Sequence, residues 1–158
     1  AMTAQVKPIP DGYPTITPYL IVRGAAAAID FYRTAFDAVE RLRMDAPGGT
    51  IGHAELLIGD GLVMLADEMP EMGWSSPAAI GGTPVSLHLY VEDVDAVVER
   101  ALAAGATLSR PVADQFYGDR LGTVVDPFGH VWSLSTHIED ISPEEIRRRA
   151  EVLFGGKA

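Results

Sequence analysis

Short runs of β-forming residues separated by turn residues are clearest in the last third of the chain. The turn sequence Asp-Pro-Phe-Gly at residues 126–129 separates two runs rich in Val, Thr, Leu and Trp, at residues 122–125 and 130–136. Proline and glycine between two such runs are typical of a hairpin connection. Residues 52–66 have the same layout around Gly-Asp-Gly at 59–61. The two copies lie about 69 residues apart, which indicates an internal repeat.

The segments upstream of both hairpins repeat at the same spacing. A strand-like run at residues 17–22 precedes an apolar stripe at helical spacing over residues 25–36, and residues 86–91 precede a second stripe over residues 93–104. Such a stripe predicts a helix that covers one face of a sheet. The pattern therefore predicts an α+β fold of two tandem modules, each running strand, helix, strand, strand, strand. The predicted boundaries within one domain, residues 1–158, are about 14–67 for module one, 67–84 for a connecting loop, 85–137 for module two and 142–154 for a C-terminal helix.

Several residues mark the predicted helix ends. Asp93 is well placed as an N-cap, and Gly105 as the left-handed residue beyond the same helix. Asp37 occupies the matching left-handed slot after the first helix, a conformation that aspartate tolerates better than most residues. Ser142 and Glu145, with a proline between them, form a capping box that starts the C-terminal helix.

The connecting loop, residues 67–84, is rich in Pro, Gly and Ser and has no sustained periodicity. Loops of this length are often binding lids, and the alternative is a linker that only crosses the sheet edge. Trp74 favours a lid, because an indole in a loop usually finds an apolar partner. At the other end of the first module, residues 2–13 are expected to form an extended lead-in.

Composition narrows the class of partner. The chain has 158 residues, 47% of them hydrophobic, and a formal net charge of −10. This excess of negative charge argues against nucleic acids and anionic membranes as partners. The three arginines at 147–149 could form a nucleic-acid patch, but on so acidic a chain we favour pairing with carboxylates and the helix dipole.

Cysteine is absent, so no disulfide, thiolate metal ligand or cysteine nucleophile is available. This agrees with a reducing cytoplasm as the expected location. No apolar run approaches the roughly 20 residues of a membrane helix, and a soluble protein is expected.

Five segments carry a resemblance to a known family: TPYL at 17–20, AIDFY at 28–32, HAEL at 53–56, DPFGHVW at 126–132 and HIED at 137–140. Together with the paired modules, they resemble the PhnB-like branch of the glyoxalase, bleomycin-resistance and dioxygenase superfamily, also called vicinal oxygen chelate. The resemblance implies mixed sheets curled into half-barrels, with helices outside and a ligand in the concave inside. It also implies a homodimer, because such modules usually share strands or seams between chains.

The superfamily includes lyases, isomerases, ring-cleaving dioxygenases, thiol transferases and proteins that only sequester antibiotics, so the resemblance specifies fold more than function. Its metal-dependent members place His, Gln or Glu at four inward positions. Those positions here are Tyr19, Met64, His88 and Ser133, of which only His88 is a good ligand. The resemblance therefore implies that the family metal site is broken and that no metal cofactor is expected.

His53 and Glu55 leave alternatives open. They are two residues apart on a predicted strand, so they share a face. We favour a pair hydrogen-bonded to neighbours across the sheet. One alternative is a displaced divalent metal site of His53, Glu55 and His88. Another is metal-free catalysis, with either His88 or a Glu55 whose pKa is raised by burial acting as general base.

Arg120 also has two interpretations. It could grip a carboxylate or phosphonate of a ligand with its planar guanidinium. We favour a structural salt bridge to Glu55 or Asp119, because an unpaired buried Glu55 would be costly.

These residues predict a small-molecule-binding protein that holds an apolar or aromatic ligand in a concave pocket, with antibiotic sequestration as one form. The alternative is an enzyme that uses the displaced metal site or one of the two candidate bases. The candidate ligand-binding residues are Tyr19, His53, Glu55, Met64, Trp74, His88, Tyr90, Phe116, Tyr117, Arg120 and Ser133.

Overall fold

The computed structural model describes residues 5–155, and the chain divides into two compact units between Ile80 and Gly81. This boundary falls inside the predicted connecting loop. Of the expected lead-in, residues 5–13 contain bends and turns without helix or strand, and residues 2–4 lie outside the described part of the chain.

The first unit contains one four-stranded mixed sheet. Its spatial order is β1-β4-β3-β2, with β1 parallel to β4 and the other neighbours antiparallel. The predicted order of elements is therefore confirmed. The elements are β1 (Tyr19–Val22), α1 (Ala25–Phe36), β2 (Val39–Ala46), β3 (Thr50–Ile58), β4 (Gly61–Asp67) and the short α2 (Pro77–Ile80).

The second unit repeats this arrangement in the order β5-β8-β7-β6, with β5 parallel to β8. Neither sheet closes into a barrel, and the helices lie outside, which confirms the predicted α+β architecture. The elements are β5 (Ser86–Tyr90), α3 (Val94–Ala103), β6 (Thr107–Asp114), β7 (Asp119–Val125), β8 (Val131–His137) and the C-terminal α4 (Pro143–Phe154).

The predicted caps at Asp93 and Ser142 are confirmed, but the second half of the capping box is not formed, because the Glu145 carboxylate accepts from Arg148. The Asp93 carboxylate accepts a hydrogen bond from the Ala96 amide at 3.1 Å, and the Ser142 hydroxyl oxygen accepts one from the Glu145 amide at 3.2 Å. Each bond satisfies an amide that the first turn of a helix leaves without a partner. Asp37, with φ 55°, occupies the left-handed region after α1.

The Asp-Pro-Phe-Gly turn is held by one carboxylate. Asp126 Oδ1 accepts hydrogen bonds from the amides of Phe128 and His130, at 2.9 and 3.0 Å, and Oδ2 accepts one from Trp132 Nε1 at 2.8 Å. Trp132 is fully buried, so its N–H needs an internal partner. The hairpin between β7 and β8 is thereby fixed from inside the turn.

The predicted loop 67–84 has more structure than its sequence pattern indicated. It contains a 3-10 turn at Pro70–Met72, the short helix α2, and an antiparallel bridge between Met69 and Trp74. Proline stands at the start of both helical turns, where its missing N–H costs nothing. The hydroxyl of the buried Ser76 donates to the Glu68 carboxylate and closes the segment.

None of the helices within residues 5–155 is long and apolar enough to cross a membrane.

Candidate functional site

Strand register brings three of the predicted site residues into one row in the first unit. Met64 of β4 lies opposite Tyr19 of β1 on one side and opposite Glu55 of β3 on the other. Ala54, Leu56 and Leu65, their neighbours along the strands, are fully buried. Because side chains alternate across a sheet, these apolar neighbours face α1 and the row occupies the opposite face. We call this surface, which carries Tyr19, His53, Glu55 and Met64, the Tyr19 face.

A chain of hydrogen bonds crosses the Tyr19 face. The Tyr19 hydroxyl lies 2.8 Å from His53 Nδ1, and His53 Nε2 lies 2.9 Å from Glu55 Oε2. Tyr13, from the lead-in, donates its hydroxyl proton to Glu55 Oε1 at 2.7 Å. The Arg41 guanidinium carbon stands 4.5 Å from the centroid of the Tyr13 ring and holds that ring by a cation–π contact. The favoured interpretation of His53 and Glu55, a pair bonded across the sheet, is confirmed.

The surroundings keep Glu55 ionised. Burial raises the pKa of Glu55, but the hydrogen bonds from His53 and Tyr13 together outweigh burial and leave the pKa below its usual value. The alternative in which burial raises the pKa of Glu55 and makes it a general base is therefore wrong. An ionised carboxylate can only accept, so His53 Nε2 donates to it. In the neutral imidazole, Nδ1 then accepts from the Tyr19 hydroxyl.

Tyr19 keeps its proton. Partial burial, followed by the negative charge of Glu55, raises the pKa of Tyr19 above its ordinary value. The phenol therefore remains a hydrogen-bond donor throughout the physiological range.

Aromatic rings line the exposed side of this chain of bonds. The centroid of the Trp74 ring lies 6.0 Å from that of the Tyr19 ring, at an interplanar angle of 53°. The centroid of the His53 ring lies 5.5 Å from that of the Tyr19 ring. Trp74 is half-buried, and Tyr19 is 41% exposed. The loop tryptophan therefore lies beside an aromatic ring, and its role in a lid stays a prediction.

The second unit has an equivalent face. His88 of β5 lies opposite Ser133 of β8, and the neighbouring Leu87 and Leu89 are more buried than His88 and Tyr90. His88 Nε2 lies 2.8 Å from the hydroxyl of the buried Ser135, and the His88 and Tyr90 rings lie 5.0 Å apart. We call the surface of His88, Tyr90, Asp119 and Ser133 the His88 face.

A buried aspartate organises this second face. Tyr90 donates to Asp119 Oδ2 at 2.7 Å, and His137 Nδ1 lies 2.8 Å from Asp119 Oδ1. His137 Nε2 lies 2.8 Å from Asp140 Oδ1, so the imidazole is held between two carboxylates. Hydrogen bonds to Asp119 and Asp140 raise the pKa of His137. Burial raises the pKa of Asp119, but the bonds from His137 and Tyr90 outweigh it and lower the net value.

Sequence reasoning missed three members of these clusters: Tyr13, Asp119 and His137. Strand alternation places Asp119 on the same face as Thr123, whose hydroxyl lies 3.2 Å from the hydroxyl of Ser133. Alternation could not reveal Asp119 from the sequence, because the predicted strand began at residue 122 and β7 begins at Asp119. For Tyr13, no periodicity in the lead-in marks its contact with β3.

Arg120 does not belong to either face. It lies on the α3 side of β7, where its guanidinium pairs with Asp95 at 2.8 and 3.0 Å and with Asp114 at 2.9 Å. The structural interpretation is confirmed, but both predicted partners, Glu55 and Asp119, are wrong. Asp119 is excluded by alternation, since adjacent residues on a strand point to opposite faces, and Glu55 is satisfied by Tyr13 and His53 instead.

Phe116 and Tyr117, both expected in the pocket wall, have different surroundings. The Phe116 ring packs edge-on against Phe154 of α4 at 5.8 Å, and its carbonyl accepts a hydrogen bond from Arg149. Phe116 therefore belongs to the contact with the C-terminal helix. Tyr117 lies close enough to Tyr90 to contribute to the raised pKa of that tyrosine, after the larger effects of Asp119.

The residues at the four family metal positions do not fit a divalent ion. Tyr19, Met64, His88 and Ser133 offer a phenol, a thioether, one imidazole and a hydroxyl. A catalytic site normally uses at least three imidazole or carboxylate ligands. Across residues 5–155, no group of three or more His, Cys, Asp or Glu side chains is arranged to hold a metal. His53 and Glu55, the core of the displaced alternative, are bonded to each other and to tyrosines.

Two concavities have linings distinct from the two faces. One, of about 400 Å³, lies at the start of α1, where Asp67 accepts hydrogen bonds from the amides of Gly24 and Ala25. The other, of about 240 Å³, lies between Phe116 and the apolar side of α4. Neither is lined by residues of the Tyr19 face or of the His88 face.

Comparison with known proteins identifies a family and a relative. Residues 14–134 match the Glyoxalase/Bleomycin resistance protein/Dioxygenase superfamily. An uncharacterised protein of Mycobacterium tuberculosis is 50% identical over 137 residues, covering 85% of this chain and 81% of that protein.

Solved structures share the fold. TioX from Micromonospora sp. ML1 is 29% identical with a TM-score of 0.61, over 82% of this chain and 100% of TioX. The fosfomycin resistance protein FosX from Listeria monocytogenes is 19% identical with a TM-score of 0.62, over 87% of this chain and 97% of FosX, a likeness of fold alone. The paired modules, their mixed sheets and these matches establish that the chain belongs to the glyoxalase, bleomycin-resistance and dioxygenase superfamily.

Proposed function

We propose that this chain binds a flat aromatic small molecule on the Tyr19 face, without the divalent metal of other superfamily members. The observation that carries the proposal is the pairing of Trp74 with Tyr19. The two rings come from different elements and lie 6.0 Å apart, while Tyr19 remains 41% exposed. Exposed aromatic rings that are held in place offer stacking surface at little entropic cost.

The remaining groups of the face support the same ligand class. Met64, in register with Tyr19, supplies a polarisable thioether that adapts to an aromatic surface. The Tyr19 hydroxyl donates its proton to His53, and its oxygen keeps a lone pair that accepts a hydrogen bond from a ligand and so orients it. Binding by stacking with a small number of hydrogen bonds needs no metal.

The Tyr19 face is the better candidate of the two because it places two large aromatic rings, Trp74 and Tyr19, side by side, whereas Tyr90 of the His88 face pairs with an imidazole. On the His88 face, the Tyr90 hydroxyl donates to a buried aspartate and His88 Nε2 bonds to a buried serine.

Sequestration of a toxic aromatic compound, such as an antibiotic, is the biological form of the function that we propose. The motifs at residues 17–20 and 126–132 support membership of the PhnB-like branch, which we include in the proposal.

Titration with 4-nitroanisole, a flat neutral nitroaromatic that quenches indole fluorescence on contact, tests the proposal. The chain has two tryptophans, and Trp132 is fully buried, so quenching reports on Trp74. We expect saturable quenching, and we expect Tyr19→Leu to weaken binding about tenfold, because aromatic pairs contribute about 0.5–1.5 kcal/mol beyond their buried area.

Tyr90→Leu is the matched control, because it removes a tyrosine from the equivalent strand of the other unit. It should leave the affinity nearly unchanged. Quenching that survives in Trp74→Phe, or equal losses in both tyrosine variants, would rule out the Tyr19 face as the binding surface.

A further inference from the structure

Exposure increases along the hydrogen-bonded chain on the Tyr19 face. The Glu55 side chain is 5% exposed, the His53 side chain is 24% exposed, and Tyr19 is 41% exposed. A chain of hydrogen bonds that served only to satisfy buried polar groups would have both of its ends in the protein interior. This chain instead leads from a buried carboxylate, through an imidazole, to a hydroxyl that a bound molecule can reach.

The order of the groups allows proton movement. His53 donates from Nε2 to the ionised Glu55, and its Nδ1 faces the Tyr19 hydroxyl at 2.8 Å. A hydroxyl, an imidazole and a carboxylate in this order let the imidazole accept a proton while the carboxylate stabilises the resulting cation. Tyr19 keeps a free lone pair on its oxygen to accept a hydrogen bond from a ligand.

The second unit shows the same residue types in an order that prevents this role. His137 has a carboxylate at each ring nitrogen, Asp119 at 2.8 Å and Asp140 at 2.8 Å. Both nitrogens therefore donate in the favoured state, and neither is left to accept a proton. His137 thus provides a natural internal control for His53.

We infer that Tyr19, His53 and Glu55 form a relay that takes the proton of a weakly acidic aromatic hydroxyl, such as a phenol or an enol, and holds the ligand as its anion. This inference rests on the proposed binding of an aromatic molecule to the Tyr19 face. It adds that the ligand carries an ionisable hydroxyl directed at Tyr19.

The proton transfer is balanced without any further reactant. The O–H bond of the ligand breaks and its proton forms a new O–H bond at Tyr19, while the original Tyr19 proton passes to His53 Nδ1. The ligand oxygen keeps the electron pair of the broken bond and becomes an anion. His53 becomes an imidazolium between the Tyr19 oxygen and the Glu55 carboxylate, so total charge is unchanged.

The test uses 4-nitrophenol, whose anion is yellow. The pH of the buffer is set to the pKa of 4-nitrophenol, so that half of the free compound is ionised. We expect binding to favour the anion about tenfold, so that roughly nine-tenths of the bound compound is yellow. Because half of the free compound already lacks its proton, calorimetry in two buffers of different ionisation heat should show a net uptake of about half a proton per molecule bound, since the relay keeps the ligand proton in the complex. Ionisation with release of that proton to the buffer would overturn the relay.

His53→Gln and Tyr19→Phe are the deciding variants. Glutamine can still donate to Glu55 but cannot take up a proton, and phenylalanine keeps the ring that stacks on Trp74. Both should bind 4-nitroanisole and lose the preference for nitrophenolate. His137→Gln is the matched control and should retain the preference.

The two failures are distinguishable. If wild-type protein binds neither nitroaromatic, the proposed function fails and the relay fails with it. If it binds 4-nitroanisole and 4-nitrophenol equally, or if His53→Gln keeps the preference for the anion, the relay alone is wrong. Circular dichroism of each variant separates a loss of function from a loss of fold.

Discussion

Removing one hydroxyl, by Tyr13→Phe, tests how the buried carboxylate of the Tyr19 face is held. Tyr13 donates to Glu55 Oε1 at 2.7 Å, and Glu55 is 4% exposed. Phenylalanine keeps the ring beneath Arg41, whose guanidinium lies 4.5 Å from the ring centroid. The substitution therefore isolates the hydrogen bond from the cation–π contact.

The expected magnitude follows from the charge and burial of the pair. A hydrogen bond to a charged group contributes about 1.5–3 kcal/mol to stability, and Tyr13 is only half-buried, so we expect the lower end, about 1.5 kcal/mol. For a chain of 158 residues this corresponds to a fall in Tm of about 3–6 °C.

The effect should depend on pH in a defined direction. The pKa of Glu55 is lowered in the folded protein, because the bonds from His53 and Tyr13 outweigh the opposing effect of burial. A lowered carboxylate pKa contributes stability above the unfolded value of about 4.3, and that contribution is lost as the pH falls through the folded pKa. The difference between wild type and Tyr13→Phe should therefore be full at neutral pH and fade in strong acid.

Thermal unfolding followed by circular dichroism, from neutral to acidic pH, measures this difference. Tyr117→Phe is the matched control, because the structure gives its hydroxyl no hydrogen bond to any of residues 5–155. If Tyr13→Phe and Tyr117→Phe lower the Tm equally, or if the Tyr13 effect grows in acid, the assigned role of Tyr13 is wrong.

Three further predictions concern the second unit and the assembly. His137→Gln should lower the stability of the folded protein most below pH about 6.5 and least above the raised pKa of His137, because a raised histidine pKa contributes stability that is lost as the pH rises. Measurement of Tm against pH checks this, and a difference between the two proteins that does not change with pH would contradict it. His88→Ala should leave the fold unchanged and weaken 4-nitroanisole binding by no more than about 0.5–1.5 kcal/mol. Loss of all binding in this variant would indicate that the ligand occupies the His88 face. We propose that the chain forms a homodimer, since the edge strands β2 and β6 expose unpaired backbone groups, and a monomeric mass in light scattering at micromolar concentration would contradict it.

The sequence predicted which side chains share a face wherever a strand was correctly bounded. Alternation placed Met64 with Tyr19 and His53 with Glu55, and the observed register agrees. Polar residues flanked by apolar ones on a strand are a strong local signal, because one face must pack on a helix.

The partners of buried charges could not be predicted in the same way. Glu55 is satisfied by Tyr13, which is 42 residues distant in sequence, and Arg120 by Asp95, which is 25 residues distant. Such contacts depend on tertiary geometry that no local pattern encodes. A boundary error of three residues on β7 was enough to hide the role of Asp119.

Chemical-shift mapping with 4-nitroanisole locates the bound ligand residue by residue and so shows whether it occupies the Tyr19 face. In ¹H–¹⁵N spectra of uniformly labelled protein, we expect saturable shifts for the amides of Tyr19, His53 and Met64 and for the indole N–H of Trp74. Shifts confined to Phe116 and the apolar side of α4, with none on the Tyr19 face, would contradict the account.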